Sequence, residues 1–258
     1  MGWIRYLNHW LCHAALTGLA ATLFSAPAMA LECNTFVSES LTLVSDISCS
    51  NAGDVGLTVA AGASGITIDL NGHSVTGARK ERSIGVLVDA GASNITVVNG
   101  TIASFERGVV ISNSTGVVVS GLAVRNNRRD GIAIRSSNHA TVAANEFIAN
   151  SNGVVSIDSS NLTVMGNTGE KNSNVGFDIT GGIDIDLTNN VSHKGAQRAA
   201  FRIVGPATVS RTANRALGYR GFGYQFAEAP TVSDGGGNSA RGKKKNACFP
   251  DPCPLELR

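Results

Sequence analysis

The sequence predicts an all-β chain built as a parallel β-helix, a solenoid of about eight rungs. Two registers and the composition carry that reading. A small opening residue recurs as Gly56, Gly85, Gly108, Gly131, Val154, Gly176, Ala200 and Gly223, at spacings of 29, 23, 23, 23, 22, 24 and 23 residues. An apolar residue recurs in step as Ile68, Val97, Val119, Val142, Val164, Leu187, Val209 and Val232. A fixed period of this size marks a solenoid. Stretches such as Gly131-Ile132-Ala133-Ile134-Arg135 alternate with period two, the pattern of a half-buried strand. Val, Ile, Thr, Gly, Asn and Ser dominate, and helix signals are nearly absent. One rung cannot bury its apolar face alone, so stacked neighbours make the core. The long first spacing is explained by the loop Gly77-Ala78-Arg79-Lys80-Glu81-Arg82.

In chain order, residues 1–30 are expected to be a secretory signal peptide. Arg5 is the only charged residue there, Leu11 to Phe24 is an apolar run, and Ala28-Met29-Ala30 fits a small-x-small cleavage site. The run is short beside the ~20 residues of a membrane span. The mature chain would begin at Leu31, exported to the periplasm or the medium and without a membrane span. Without Arg5 the 21 basic residues become 20 against 19 acidic ones, a net charge of +1. That near-balance predicts neither nucleic-acid nor membrane binding.

Cys33, Cys49, Cys248 and Cys253 remain in the mature chain, an even count that suits two disulfides in an exported protein. Eight rungs at ~4.8 Å separate the two ends by over ~35 Å, whereas a bridge tolerates a Cα separation of about 6 Å. Cys33 is therefore expected to pair with Cys49, and Cys248 with Cys253; free thiols are the alternative. Residues 31–55 are expected to cap the open apolar end, with Leu41-Thr42-Leu43-Val44-Ser45-Asp46-Ile47 supplying a strand. The helix proper spans 56–240, and residues 241–258 form a basic, disulfide-closed tail.

The phrase Leu70-Asn71-Gly72-His73, with the rungs that follow it, resembles secreted bacterial proteins of the pectate-lyase-like superfamily. The resemblance covers roughly residues 40–240 and implies a single-stranded right-handed parallel β-helix. It implies little about activity, because this fold hosts many. His73 follows a turn pair and is expected to face solvent. The family's catalytic phrases are missing: polygalacturonases carry Asn-Thr-Asp, Asp-Asp, Gly-His-Gly and Arg-Ile-Lys, secreted mannuronan epimerases carry Asp-Pro-His-Asp, and none of these stands here. The copper-accessory β-helix protein of nitrous oxide reductase assembly is another relative by fold. Yet Met165, His73, His139 and His193 scatter over different rungs and do not suggest a copper site.

Asn145, Asn167 and Asn190 recur at 22 and 23 residues and are expected to stack as an amide ladder. Thr67, Thr96, Thr141, Thr163, Thr208 and Thr231 form a further structural column. Charge at outward positions is more telling, because the repeat does not demand it. In the strand after each opening residue the second and fourth positions face out. These positions gather Arg135, Asp158, Asp178 and Arg202 on adjacent middle rungs. Asp158 and Asp178 would be diagonal neighbours about 7–8 Å apart, within the ~6.5–9.5 Å carboxyl separation of inverting glycosidases. One acid would protonate a leaving oxygen while the other activates water, and Arg135 and Arg202 would hold an acidic sugar. An arginine acting as base beside a carboxylate-bound cation is the lyase alternative that the resemblance implies. Cross-strand ion pairing, Arg135 with Asp158 and Asp178 with Arg202, explains the same residues without chemistry.

Basic turns precede the opening residues and contain Arg82, Arg107, Arg128, Arg129, Lys171, Arg198 and Arg220. Of these, Arg107, Arg129 and Arg198 are the candidates for gripping an acidic polysaccharide. No cofactor is required. Calcium is the one candidate ion, through Asp184 and Asp186, although two carboxylates fall short of the six to eight oxygens it takes. The function expected is binding or processing of an acidic polysaccharide on the central outward sheet, as lyase or hydrolase if enzymatic. The alternative is a non-enzymatic structural or surface protein.

Overall fold

The computed structural model describes residues 31–89, 91–195, 198–242 and 248–249. The expected signal peptide, Cys253 and most of the tail lie outside the described residues. Within them the chain is an all-β parallel solenoid of about nine turns with no helix. Each turn lays down three strands, so the solenoid has three faces. The first face is a ten-stranded sheet running from Thr35–Val37 through Val55–Val59, Ile84–Val88, Arg107–Ser112, Asp130–Arg135, Asn152–Ile157, Val175–Thr180, Ala199–Val204 and Phe222–Ala227 to Cys248–Phe249. The second and third faces belong to one sixteen-stranded sheet, joined where Thr96–Ala103 and Val118–Arg125 run straight across the corner.

The count exceeds the expected eight because residues 31–55 are themselves a turn. Thr35–Val37, Leu41–Thr42 and Ile47–Ser48 pair in parallel with the second rung. Cys33 and Cys49 close that turn as a disulfide with Cα atoms 5.3 Å apart. At the other end Cys248 is disulfide-bonded, and its expected partner Cys253 lies outside the described residues.

Inward side chains stack by type along the axis, since each sits about 4.8 Å above its equivalent. Phe177, Phe201 and Tyr224 stack with centroids 5.0 and 4.9 Å apart, and Phe147 meets Phe177 edge-on. The asparagine ladder extends beyond the three expected members: Asn145, Asn167, Asn190, Asn214 and Asn238 are all buried, and each of the first four amides donates to the asparagine of the next rung. A second ladder, Asn127, Asn150 and Asn172, lines the corner before the first face. The threonines split into two columns: Thr67, Thr96, Thr141 and Thr163 share a register that continues through Asp186, while Thr208 pairs with Thr231 two positions earlier.

Two register positions differ from the periodic reading, and both matter. The opening residue of the sixth rung is Gly153, not Val154, because Val154 pairs with Ile132 and Phe177 in the inward column. A Cβ at Gly153 would stand 2.4 Å from the Gly176 carbonyl oxygen, so that position has no room for valine. On the eighth rung the residue in line with Leu187 is Arg211, not Val209, which pairs with Ile185. The first shift also turns Ser156 inward, between Ile134 and Ile179, where its hydroxyl is buried without a partner. Removing an orphaned buried hydroxyl relieves its desolvation cost. Ser156→Ala is therefore expected to stabilise the fold by about 1 kcal/mol, read as a higher midpoint in chemical denaturation; a clear loss of stability would refute that reading.

Candidate functional site

The outward side of the first face carries most of the sequence candidates. Its central column reads Phe36, Thr58, Leu87, Val110, Ala133, Val155, Asp178, Arg202 and Gln225 in paired register. Six rungs of mostly apolar floor thus lead into three polar ones. Phe36 is 77% exposed at one end, whereas Val110 and Ala133 are buried although they point outward. The next outward column runs Ser112, Arg135, Ile157, Thr180, Val204 and Ala227.

The structure joins one of the two expected ion pairs. Asp178 and Arg202 are register partners, and one guanidinium nitrogen of Arg202 donates to both carboxylate oxygens at 2.8 and 3.1 Å. Burial pushes the Asp178 carboxyl above the usual carboxylate range, with Arg202 and then Arg198 opposing the shift. The sign follows: a raised carboxyl favours the folded state at low pH, and that contribution fades as pH rises through the elevated value. Arg202 Nε and Gln225 Oε1 are buried beside this pair without hydrogen-bond partners.

The other pair does not form. Arg135 pairs with Ile157, and Asp158 follows as an exposed corner residue with φ of 49°. The same corner is occupied by Asn113, Ser136, Gly181, Gly205 and Glu228 on other rungs, all with positive φ. Asn, Asp and Gly suit left-handed backbone, so the turn accounts for the aspartate. Asp178 pairs with Val155, three residues before Asp158, which puts the two aspartates ~11 Å apart at the backbone. A Cβ on Gly181 would meet the Asp158 carboxylate, so that carboxylate leans over Gly181 rather than towards Asp178. The diagonal neighbourhood expected for the two acids is not there.

The basic turns stack at the edge before the first face, yet most of their charge is spent. Glu106 accepts from the Arg82 backbone N–H and lies 3.3 Å from Arg107 and 3.6 Å from Arg129. That N–H, then Arg107, Arg129 and Arg128, hold the Glu106 carboxyl below the usual range. Its stabilisation is complete above the unfolded value and lost as pH falls through the folded one. Arg107 also bonds the buried Asp130, which takes a further bond from Asn152. Arg128 pairs with Glu81 at 3.6 Å. Arg198 and Arg135 are different: neither side chain has a hydrogen-bond or ion-pair partner among the described residues.

The sequence missed Arg211, a buried arginine 2.7 Å from Asp234 and stacked 4.9 Å over Tyr224. Residues 187 and 211 lie 24 apart rather than 22 or 23, and the Gly205-Pro206 turn between them was the available signal.

Asp184 and Asp186 lie in one recess with Thr208, Ser210, Thr231 and Ser233. Asp186 already accepts from Thr188 and Ser210. For copper, imidazole and sulfur donors must converge within a few ångströms. His73, His139 and His193 belong to the second, fifth and seventh rungs, each at least two rungs, ~10 Å, from the next. His73 faces Asp46 at 3.3 Å and His193 faces Glu170 at 3.9 Å. The one tight group of donor residues among those described is Cys33, Cys49 and Asp54. Its sulfurs are consumed by the disulfide, and Asp54 is bonded by Ser50, Asn51 and Asn34. The described residues do not fit a copper ion. Among them no helix is long and apolar enough to cross a membrane.

The family profile described as "Periplasmic copper-binding protein (NosD)" matches residues 58–223. No curated protein sequence matches the chain. Similar solved structures include the periplasmic alginate epimerase AlgG, with a TM-score of 0.59 and 14% identity over 73% of this chain and 51% of that one. The enzymatically active domain of bacteriophage CBA120 tailspike protein 2 gives 0.57 and 13%, over 79% and 35%. An alginate lyase from Paenibacillus sp. gives 0.50 and 11%, over 86% and 98%. At such identities the likeness is one of fold, and the chain spans about half the length of the epimerase.

Proposed function

Given that this chain belongs to the NosD family of periplasmic β-helix proteins, we propose that it is an exported protein that binds an acidic polysaccharide along the outward side of its ten-stranded face. The observation that carries the reading is the contrast between spent and available charge. Arg107 and Arg129 are neutralised by Glu106 and Asp130, while Arg135 and Arg198 flank the face with no hydrogen-bond or ion-pair partner among the described residues. The half-buried Leu87 and Val155 suit the C–H surfaces of sugar rings, and unpaired guanidinium groups suit their carboxylates. AlgG and the Paenibacillus lyase are named for alginate, an acidic polymer, which supports the choice of substrate class by analogy of fold.

Turnover is the second reading, and Asp178 favours it. Burial raises the Asp178 carboxyl above its usual range, the direction that suits a proton donor, and Asp178 sits where the apolar floor ends. Asp158 has no part in this reading, so the paired-acid hydrolysis first expected gives way to chemistry centred on Asp178 and Arg202. Calcium enters as a component of the assay, since Asp184 and Asp186 supply two carboxylates only. No step runs through copper.

The test is to incubate the chain from Leu31 onward with a panel of acidic and neutral polysaccharides. Retention, unsaturated products and reducing ends would all be followed, with and without calcium. Binding predicts retention on acidic polymers that weakens with salt and drops about a hundredfold when Arg135 and Arg198 are both replaced by alanine, the loss of two charge-assisted hydrogen bonds at ~1.5 kcal/mol apiece. Equal retention on neutral polymers, or none at all, would sink the binding reading. Product formation abolished by Asp178→Asn, with the fold intact, would establish turnover; products unaffected by that change would remove Asp178 from it.

A further inference from the structure

We propose that the recess between Arg215 and Arg241, on the outer side of the third face, is a phosphate-binding site separate from the groove on the first face. Three surface recesses make the comparison. The one at Arg82, Arg128 and Arg129 contains its own carboxylates, Glu81 and Glu106, within ion-pair reach. The one at Asp184 and Asp186 is acidic. The third, of ≈ 400 Å³, holds two arginines and no carboxylate in its lining. Its volume accommodates a phosphate group with a substituent attached.

Register sets the geometry. Arg215 pairs with Ser239, and Leu217 pairs with Arg241, in strands Arg215–Leu217 and Ser239–Arg241. The two arginines are thus one rung and two residues apart and share an outward parity, about 8 Å from each other at the backbone. Both are exposed, and neither side chain has a hydrogen-bond or ion-pair partner among the described residues. The Ser239 hydroxyl stands between them as a further donor. Asn238 below is already bonded to Arg211 and Asp234 and belongs to the floor.

The surrounding charge is one-sided. From Asn189 to Gly242 the chain carries seven basic side chains, of which Lys194, Arg202 and Arg211 are paired with Glu170, Asp178 and Asp234, leaving Arg198, Arg215, Arg220 and Arg241. The other acidic side chain of this stretch, Glu228, sits at the far corner of the first face. The recess therefore lies in a positive field that concentrates anions. A guanidinium presents a planar fork of donors matched to phosphate oxygens. Two forks and a hydroxyl serve the several oxygens of a phosphate, more donors than one carboxylate can use. Inorganic phosphate and a phospholipid headgroup share this chemistry.

The experiment uses the chain from Leu31 to its C-terminus. Calorimetric titration with inorganic phosphate is one arm. Co-sedimentation with phosphatidylglycerol vesicles, against phosphatidylcholine vesicles, is the other. Arg215→Ala and Arg241→Ala are each expected to weaken binding about tenfold, the loss of one charge-assisted hydrogen bond. Arg125→Ala is the control, because Arg125 lies in the same outward column as Arg241, five rungs towards the N-terminus, and removes the same charge. Binding in both arms identifies a headgroup site, and binding to phosphate alone identifies a site for the free ion. The proposal fails if neither probe binds, or if Arg125→Ala weakens binding as much as the two recess variants do.

Discussion

Asn167→Leu is expected to lower stability by about 3–5 kcal/mol, a large share of the 5–15 kcal/mol that holds a typical domain. Leucine branches at the same atom as asparagine and is the larger side chain, so it leaves no cavity and the loss comes chiefly from the hydrogen bonds. The Asn167 side-chain oxygen accepts from the Asn145 backbone N–H at 2.9 Å and from its amide at 3.1 Å. The Asn167 amide donates to the Val142 carbonyl at 2.8 Å and to Asn190 at 3.0 Å. All of these groups are buried, and each one left without a partner costs ~1–3 kcal/mol. Because a solenoid is held by nearest-neighbour contacts, amide exchange should quicken first in the fifth to seventh rungs. Asn138→Ala, which removes two exposed bonds, from Asn161 and from the His139 N–H, is the comparison and should cost under ~1 kcal/mol. A denaturation midpoint for Asn167→Leu close to that of the unmodified chain would mean that the ladder contributes little.

Asp234→Asn is expected to cost a similar ~3–5 kcal/mol, for an electrostatic reason. Arg211 is 1% exposed and lies in the inward column that earlier rungs fill with Ile68, Val97, Val119, Val142, Val164 and Leu187. Its charge is met by Asp234 at 2.7 Å and by the faces of Tyr224 and Phe226 at 4.9 and 5.2 Å. Burial pushes the Tyr224 hydroxyl well above its ordinary value, so it stays neutral and donates to the Asn214 carbonyl. Asparagine keeps the acceptor used by Gly236 and Asn238 but removes the countercharge, leaving a guanidinium in the core. Arg211→Leu in the Asp234→Asn background should recover most of the loss, since leucine continues the column of Leu187. If the double variant is no more stable than Asp234→Asn alone, the cost does not come from a stranded charge.

The contrast between these residues shows how much of the molecule was legible. Asn145, Asn167 and Asn190 were readable as a ladder because identical residues at one spacing stack wherever strands stack. Cys33 and Cys49 were readable because the rung spacing excludes the long-range pairing. Asp178 facing Arg202 was readable because the seventh and eighth rungs keep their register. Asp158 and Arg211 were misplaced for one shared reason. Valine at 154 and valine at 209 fit the expected spacing although Gly153 and Arg211 hold the true positions, and a slip of one or two residues leaves periodicity looking intact.

Period, strand character, the amide ladder and the N-terminal disulfide were determined by the sequence alone, because each follows from residue type repeated at a constant interval. Tertiary structure decided which side chains meet. Gly153 opens its rung because only glycine clears the carbonyl of the next strand, and that single clearance turns Val155 outward, Ser156 inward and Asp158 into a corner. Which arginines are spent and which are available was likewise decided in three dimensions. Glu106, Asp130 and Asp234 reach their partners across rungs, and the sequence lists such charges without their distances.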